Sequence, residues 1–310
     1  MRSSVALFTT LCLATLTGAQ IKGFNYGSTD STGACRNESD FETLFDNARN
    51  LAGTSNFTSA RLFTMIQCGT DNSTTSAIQA AINTNTTLLL GLWASGGDGR
   101  FDNELASLRS AIDEYGSDFS DRVVGISVGS EDLYRDSSEG RSNDAGVGAS
   151  ADVIIRYVRQ VRDAISETSL SEVPIGHVDT WTAWVLEENF PVRNAVDWLG
   201  QNSFPYFEDE VFNSVFAATG LFWSSYGNMK GVAPGKPVWI TETGWPVEGP
   251  TRNVAVASVD AASIYWQRVG CSLFDDENVW WYTLQDSNAN QNEKFGIAPS
   301  GNEPLFNLTC

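Results

Sequence analysis

Eight short runs of apolar residues, many of them β-branched or aromatic, recur along the chain and are separated by longer amphipathic segments. The runs are Ile21–Tyr26, Ser59–Met65, Thr87–Trp93, Arg122–Val128, Val173–Asp179, Val196–Ser203, Pro237–Glu242 and Asn278–Leu284. Most are almost continuously apolar, as strands of a parallel sheet are when both faces are covered. Between them, apolar residues recur at steps of three and four. Phe41, Leu44, Phe45, Ala48 and Leu51 form one stripe, Leu105, Leu108, Ile112 and Tyr115 a second, and Ile154, Val158, Val161 and Ile165 a third. That spacing puts each set on one face of a helix. Ser39 with Glu42 three residues on predicts the capping box that opens the first helix. Val254–Cys271 predicts a further helix, and the acidic cluster Glu208–Glu210 predicts a helix start, where negative charge is favourable. These stripes carry packing rather than chemistry.

Eight strands alternating with helices predict an α/β chain folded as a single (β/α)8 TIM barrel over residues 20–310. The rival is an open doubly wound sheet, which normally carries a G-x-G-x-x-G loop after its first strand. Here residues 27–35 read GSTDSTGAC, without that pattern. Neither an internal repeat nor a low-complexity linker divides the chain.

The first residues read as an address. Arg2, the apolar run Val5–Leu16 and the small residues up to Ala19 predict a signal peptide, residues 1–19. The run is too short to span a bilayer. No second long apolar run follows and the sequence stops at Cys310, so the expectation is a secreted protein, extracellular or in the cell wall, without membrane span or lipid anchor. Cys12 leaves with the signal. Cys35, Cys68, Cys271 and Cys310 then suggest two disulfides with three possible connectivities. A four-thiolate metal site is disfavoured because no C-x2-C pair exists. Asn37, Asn56, Asn72, Asn85 and Asn307 each begin an N-x-S/T glycosylation sequon.

Charge narrows the chemistry. The chain holds 19 Lys+Arg against 38 Asp+Glu, a net charge of -19. Such a polyanion repels phosphate backbones and anionic lipids, so nucleic acid is not an expected partner. The single histidine, His177, excludes any zinc site that needs two imidazoles. It lies mid-strand and reads as a hydrogen-bonded core residue. Asp275–Glu277 reads as a solvated turn rather than a calcium loop. No metal or cofactor is called for, and carboxylates become the leading candidates for acid–base work.

Barrel chemistry sits at the C-terminal ends of strands. Strand four runs VVGISVGSEDLYR and places Glu131 just past its end; strand seven runs KPVWITETGWP and places Glu242 at its end. Gly125, Ser127 and Gly129 share parity with Glu131, and such small residues would leave room at the mouth. A carboxylate closing an apolar strand is costly unless paired or used. Two facing carboxylates can cleave an acetal, one as acid and one as nucleophile or base. Aromatics near strand ends offer stacking faces for sugar rings, among them Tyr26, Trp93, Trp181, Trp184, Tyr206, Trp245 and Tyr282. Trp239 and Trp280 read as core. Asp179 ends strand five and is a candidate for substrate contact.

At these residues the chain resembles the family 17 glycoside hydrolases, and most closely the fungal secreted or wall-associated glucan endo-1,3-β-glucosidases. The matching pieces are GFNYG, ARLF, VGSEDLYR, NSFPYF and ITETGWP, in the family's order. The resemblance implies a (β/α)8 barrel and retaining hydrolysis of β-1,3-glucan, with Glu131 as proton donor and Glu242 as nucleophile. It places Tyr26, Tyr206 and Trp245 along the cleft. One departure is Ser130, where related barrels usually carry an asparagine that bonds the sugar 2-hydroxyl. Another is Phe204, where a tyrosine is common. Retention requires the two carboxyls about 5–5.5 Å apart.

Two rivals remain. The same intermediate could pass to an incoming sugar, giving a β-1,3-glucanosyltransferase, or the chain could be a non-catalytic wall-glucan binder, which the presence of both glutamates disfavours. The expected partner is β-1,3-glucan alone, with the chain a monomer. In a barrel, Cys35 and Cys68 follow adjacent strands on one rim, which suggests Cys35–Cys68 and leaves Cys271–Cys310 to tie down the tail.

Overall fold

The structure, a computed structural model, describes residues 20–54 and 57–310. The proposed signal peptide and the sequon at Asn56 lie outside the described residues. The eight apolar runs become strands β1 Lys22–Tyr26, β2 Phe57–Leu62, β3 Thr87–Leu92, β4 Val123–Ser130, β5 Ile175–Thr180, β6 Trp198–Asn202, β7 Val238–Glu242 and β8 Val279–Trp281. All pair in parallel with their sequence neighbours, and β1 pairs with β8 to close the barrel.

The barrel is plugged at its base. Leu89, Val178, Trp198, Trp239 and Trp280 form a separate buried cluster, with the Trp198 and Trp239 rings stacked at 4.1 Å. Glycine makes this possible. A Cβ on Gly176 would come within 2.2 Å of the Trp198 ring, and one on Gly125 within 2.8 Å of Trp239. The room below Glu131 that small residues promised is therefore filled by indole at Gly125 rather than left open. Burying three tryptophans here favours folding strongly, because each removes a large apolar surface from water.

Helices pack outside the strands. The first, α1, spans Glu38–Arg49 and buries Phe41, Leu44, Phe45 and Ala48. Its cap corrects the sequence reading by two residues. Asn37 Oδ1 accepts from Asp40 N at 3.2 Å while Asp40 Oδ2 accepts from Asn37 N at 2.9 Å, so the box is Asn37–Asp40, not Ser39–Glu42. Helix α2 is Ala77–Thr84, and α3 runs Asp98–Ser120 with a break at Gly116. The helix Ala151–Ile165 buries the third predicted stripe.

Two helix expectations are corrected. Val254–Ser258 is not helical. The helix begins at Val259, where Ser258 Oγ accepts from Ala261 N, and passes through a π turn at Trp266–Gly270. Glu208–Glu210 starts no helix either; the next one begins at Ala218. This segment is a turn held to the loop after β7, because Asn253 Nδ2 donates to Asp209 O and Val211 O. Tertiary hydrogen bonds there outweigh the local charge preference.

The disulfides are Cys35–Cys68 and Cys271–Cys310. The first joins the loops after β1 and β2; the second ties the tail to the last helical segment. Asn37, Asn72, Asn85 and Asn307 are all exposed. Among the described residues, no helix is long and apolar enough to cross a membrane, and no group of three or more His, Cys, Asp or Glu could hold a metal.

Candidate active site

Glu131 leaves β4 in an unusual backbone conformation. Its φ is 60°, in the left-handed region, and Gly129 two residues earlier has φ 80°. Only glycine fits at 129, since a Cβ would lie 2.1 Å from Asp132 Oδ2. The turn leads directly into α4, Asp132–Asp136. Both oxygens of Glu131 are held. Asn202 Nδ2 donates to Oε1 at 3.0 Å, and Arg135 on α4 reaches Oε2 at 3.2 Å.

Glu242 closes β7 with a side chain only 10% exposed. Arg61 on β2 approaches its Oε1 at 2.5 Å and is itself buried. The same guanidinium donates to Asn25 Oδ1 at 2.6 Å and Ser130 Oγ at 3.0 Å. Asn25 donates onward to the carbonyls of Thr241 and Trp280. Thr241 Oγ1 donates to Asn202 Oδ1, linking the support of Glu242 to that of Glu131. A buried charge pair persists only with such surrounding hydrogen bonds.

The two carboxyls differ in their surroundings. Burial is the main force raising the Glu131 pKa to about 7, and the negative charge of Glu242 adds to it. Arg135 and Asn202 pull it back, while Asp179 pushes it further up. Its side chain keeps 26% exposure, toward the cleft. Glu131 is thus a carboxyl that can hold a proton near neutrality, beside a glutamate that faces a permanent cation.

Glu131, Glu242 and Tyr282 stand where two cavities meet. The first, of about 950 Å3, is walled by Phe63, Thr64, Trp93 and Arg100 with the loops at 27–33 and 287–290. The second, of about 850 Å3, is walled by Trp181, Phe204, Phe207, Glu208 and Arg252. Trp93 is 40% exposed in the first lobe, and Trp181 in the second donates Nε1 to Glu208. Each lobe offers aromatic and polar surface, as a sugar chain requires.

Of the residues offered by the sequence for contact with substrate, Trp93, Ser130, Trp181 and Tyr282 line the cleft. Tyr26, Asp179, Tyr206 and Trp245 do not. Tyr26 is buried under α1, edge-on to Phe45. The Tyr206 hydroxyl donates to Pro250 O, and Trp245 Nε1 donates to Val256 O at 2.9 Å. These two rings brace the loops behind the second lobe. Asp179 is wholly buried and its oxygens are used by backbone N–H groups and His177. Odd and even positions of a barrel strand point opposite ways, so a residue beside the inward one faces the helices. Trp184 is likewise buried, with Nε1 on Gly200 O. Phe204, which replaces a hydroxyl, packs edge-on to Tyr282 and Phe295.

Sequence reasoning missed Asn25, Arg61, Arg135 and Asn202. Each lay inside a motif already noted, GFNYG, ARLF, SEDLYR or NSFPYF. The available signal was a polar side chain within, or just after, an otherwise apolar strand. Glu104 on α3 was missed as well. It is fully buried and accepts from Thr64 Oγ1 at 2.5 Å and Met65 N at 2.7 Å, below the first lobe.

Burial raises the Glu104 pKa from 4.5 to about 7 against those donors. Its protonated form is favoured by folding, so the contribution is complete below 4.5 and is lost as pH rises through about 7. The cost of ionisation is on the order of 3 kcal/mol. The melting temperature should fall as pH is raised from about 5 to about 8, and Glu104→Gln should make that fall shallower. A variant with an unchanged slope would show that Glu104 does not titrate in this range.

The architecture and this site can be compared with known proteins. Residues 23–300 match the family described as the BtgE/BtgC glycoside hydrolase domain. The chain is 57% identical over 303 residues to the probable glucan endo-1,3-beta-glucosidase eglC of Aspergillus oryzae, covering 97% of this chain and 65% of that protein. It is 28% identical over 236 residues to a glucan 1,3-beta-glucosidase of Schizosaccharomyces pombe, covering 73% of this chain and 68% of that one. The chain thus spans a little under two thirds of the length of the A. oryzae relative. Among solved structures, a glycoside hydrolase family 17 beta-1,3-glucanosyltransferase from Rhizomucor miehei superimposes with a TM-score of 0.68 at 23% identity, covering 91% of this chain and 98% of that one. An endo-laminarinase from Formosa gives 0.68 at 14% identity, covering 89% and 82%. At such identities these two neighbours speak for the barrel alone. The match across nearly all the described residues, together with the 57% relative, settles the family: this chain is a member of the BtgE/BtgC glycoside hydrolase domain family.

Proposed function

We propose that the protein hydrolyses internal β-1,3-glucosidic bonds of β-glucan with retention of configuration. The observation that carries this reading is the meeting of Glu131 and Glu242 at the junction of two cavities, so that a glucan chain can run through on both sides. The names of the relatives supply the linkage.

In the first step the Glu131 carboxyl gives its proton to the glycosidic oxygen. Glu242 Oε attacks the anomeric carbon, and the C–O bond breaks with its electron pair going to the departing oxygen. A covalent glucosyl ester on Glu242 results, and the leaving chain carries a new hydroxyl. Glu131, now a carboxylate, takes a proton from water as the water oxygen attacks the same carbon. Glu242 leaves as carboxylate, Glu131 is again protonated, and the configuration is retained. The proton affinity of Glu131 suits both halves of this cycle.

Glucanosyl transfer is the second reading. It is favoured by the presence of a lobe on each side of the reacting pair, since one of them could seat an acceptor sugar in place of water. Chromatography of products from a defined β-1,3-glucan oligomer series decides between them. Products only shorter than the starting oligomer support hydrolysis; longer ones establish transfer. Complete inertness toward the series would leave a glucan-binding role. Export to the extracellular space or wall, with residues 1–19 as signal, fits the two disulfides and the exposed sequons.

A further inference from the structure

We propose that Asp179, supported by His177, is a positioning residue that holds the proton donor Glu131 in its reactive backbone conformation. The proposal rests on the acid role of Glu131 given above. Glu131 occupies the left-handed region without being glycine, a strained conformation that persists only where the surroundings enforce it. The turn around it shows what enforces it. Ser130 N donates to Asp132 Oδ2 at 2.7 Å, and Glu131 N donates to Val178 O at 2.9 Å. Leu133 N donates to Asp179 Oδ2 at 2.9 Å, and Tyr134 N donates to Asp179 Oδ1 at 3.2 Å. Four backbone N–H groups flanking the acid are therefore claimed by β5 and by Asp132. Asp179 supplies two of the four contacts and is out of reach of substrate, being fully buried.

The chain's one histidine completes the support. His177 Nδ1 lies 2.6 Å from Val128 O, a group that only accepts, and Nε2 lies 2.9 Å from Asp179 Oδ2. Both ring nitrogens thus face acceptors, the arrangement an imidazolium satisfies. Burial opposes that cation. The hydrogen bond and charge of Asp179, with the charge of Asp132 and the Val128 carbonyl, outweigh burial and raise the His177 pKa. Asp179 is thereby fixed in place between His177 below and the α4 amides above. The charged groups facing this turn are Asp179 and His177 from β5, Asp132 and Arg135 from α4, Glu242 from β7, and Arg61 from β2, which donates to Ser130 Oγ.

A proton donor matters only when the leaving group needs a proton, and this supplies the test. Asp179→Asn keeps the shape but turns one acceptor into a donor, so it loosens the turn. On a β-1,3-glucan oligomer, kcat should fall about 100-fold, the cost of a misplaced catalytic group, with KM little changed. On a dinitrophenyl glycoside of the same oligomer, kcat/KM, which reports only the first step, should stay within about threefold of the parent. The basic limb of the pH profile should also move to lower pH, because the Asp179 charge raises the proton affinity of Glu131. An equal loss on both substrates in a variant that melts like the parent would reduce Asp179 to a fold residue, and full activity on the oligomer would remove it from the argument. Should Asp179→Asn fail to fold, His177→Gln is read by the same ratio of the two substrates, with a smaller selective loss expected. Glu131→Ala run beside them separates the two ideas. If it is rescued on the dinitrophenyl substrate while the Asp179 variant is not, the acid role stands and the positioning role falls.

Discussion

Glu242→Ala should lower turnover of β-1,3-glucan by roughly 10^4-fold or more, because the other carboxyl at the junction, Glu131, serves as proton donor on the proposed mechanism and cannot also form the ester. Binding should survive within a few-fold, since the aromatic and polar walls of both lobes are untouched. The variant also strips Arg61 of its charge partner. Removing one member of a buried pair costs about 3–5 kcal/mol, so a lower melting temperature should accompany the loss. Glu242→Gln keeps an oxygen for Arg61 and should lose as much activity with less stability. Turnover by either variant at parental rates, measured by reducing-end release, would take Glu242 out of the mechanism.

Glu131→Ala should behave differently. It should lose about 10^2- to 10^4-fold on glucan, the usual worth of a general acid. With a dinitrophenyl leaving group, which departs without protonation, most of the first-step rate should return. Arg135 loses its carboxylate partner and Asn202 Nδ2 its acceptor, but the Glu131 side chain is 26% exposed to the cleft, so the fold should tolerate the change. Lack of rescue on the activated substrate would count against the acid assignment.

Much of this architecture was legible in the residue pattern, and the reasons are physical. Parallel strands covered on both faces must be apolar nearly throughout, so eight runs announced eight strands. Glu131 and Glu242 stood out because each ended such a run. What stayed hidden was orientation. Tyr26 sits one residue along β1 from inward-facing Asn25 and points at a helix, while Tyr206 and Trp245 lie in loops past their strands and turn away from the cleft, differences that aromatic character does not reveal. Arg61 and Asn25 were passed over because polar residues inside motifs look like punctuation until the barrel closes and brings β1, β2 and β7 together. Helix starts at Asn37 and Val259 were displaced because caps are chosen by side-chain hydrogen bonds, and several candidate cap residues stood within a few positions.

Arg61 has a broader implication for how this scaffold could change. One flat cation contacts groups from β1, β4 and β7 from within the wall of staves, while the two cavities are walled largely by loops above. On the proposed function, grip and reactivity would be anchored in different parts of the molecule. Rim segments could be exchanged to recognise a different polysaccharide without detuning the bond-breaking pair. A lysine at position 61, a point charge on a flexible stem, could not serve three partners at once.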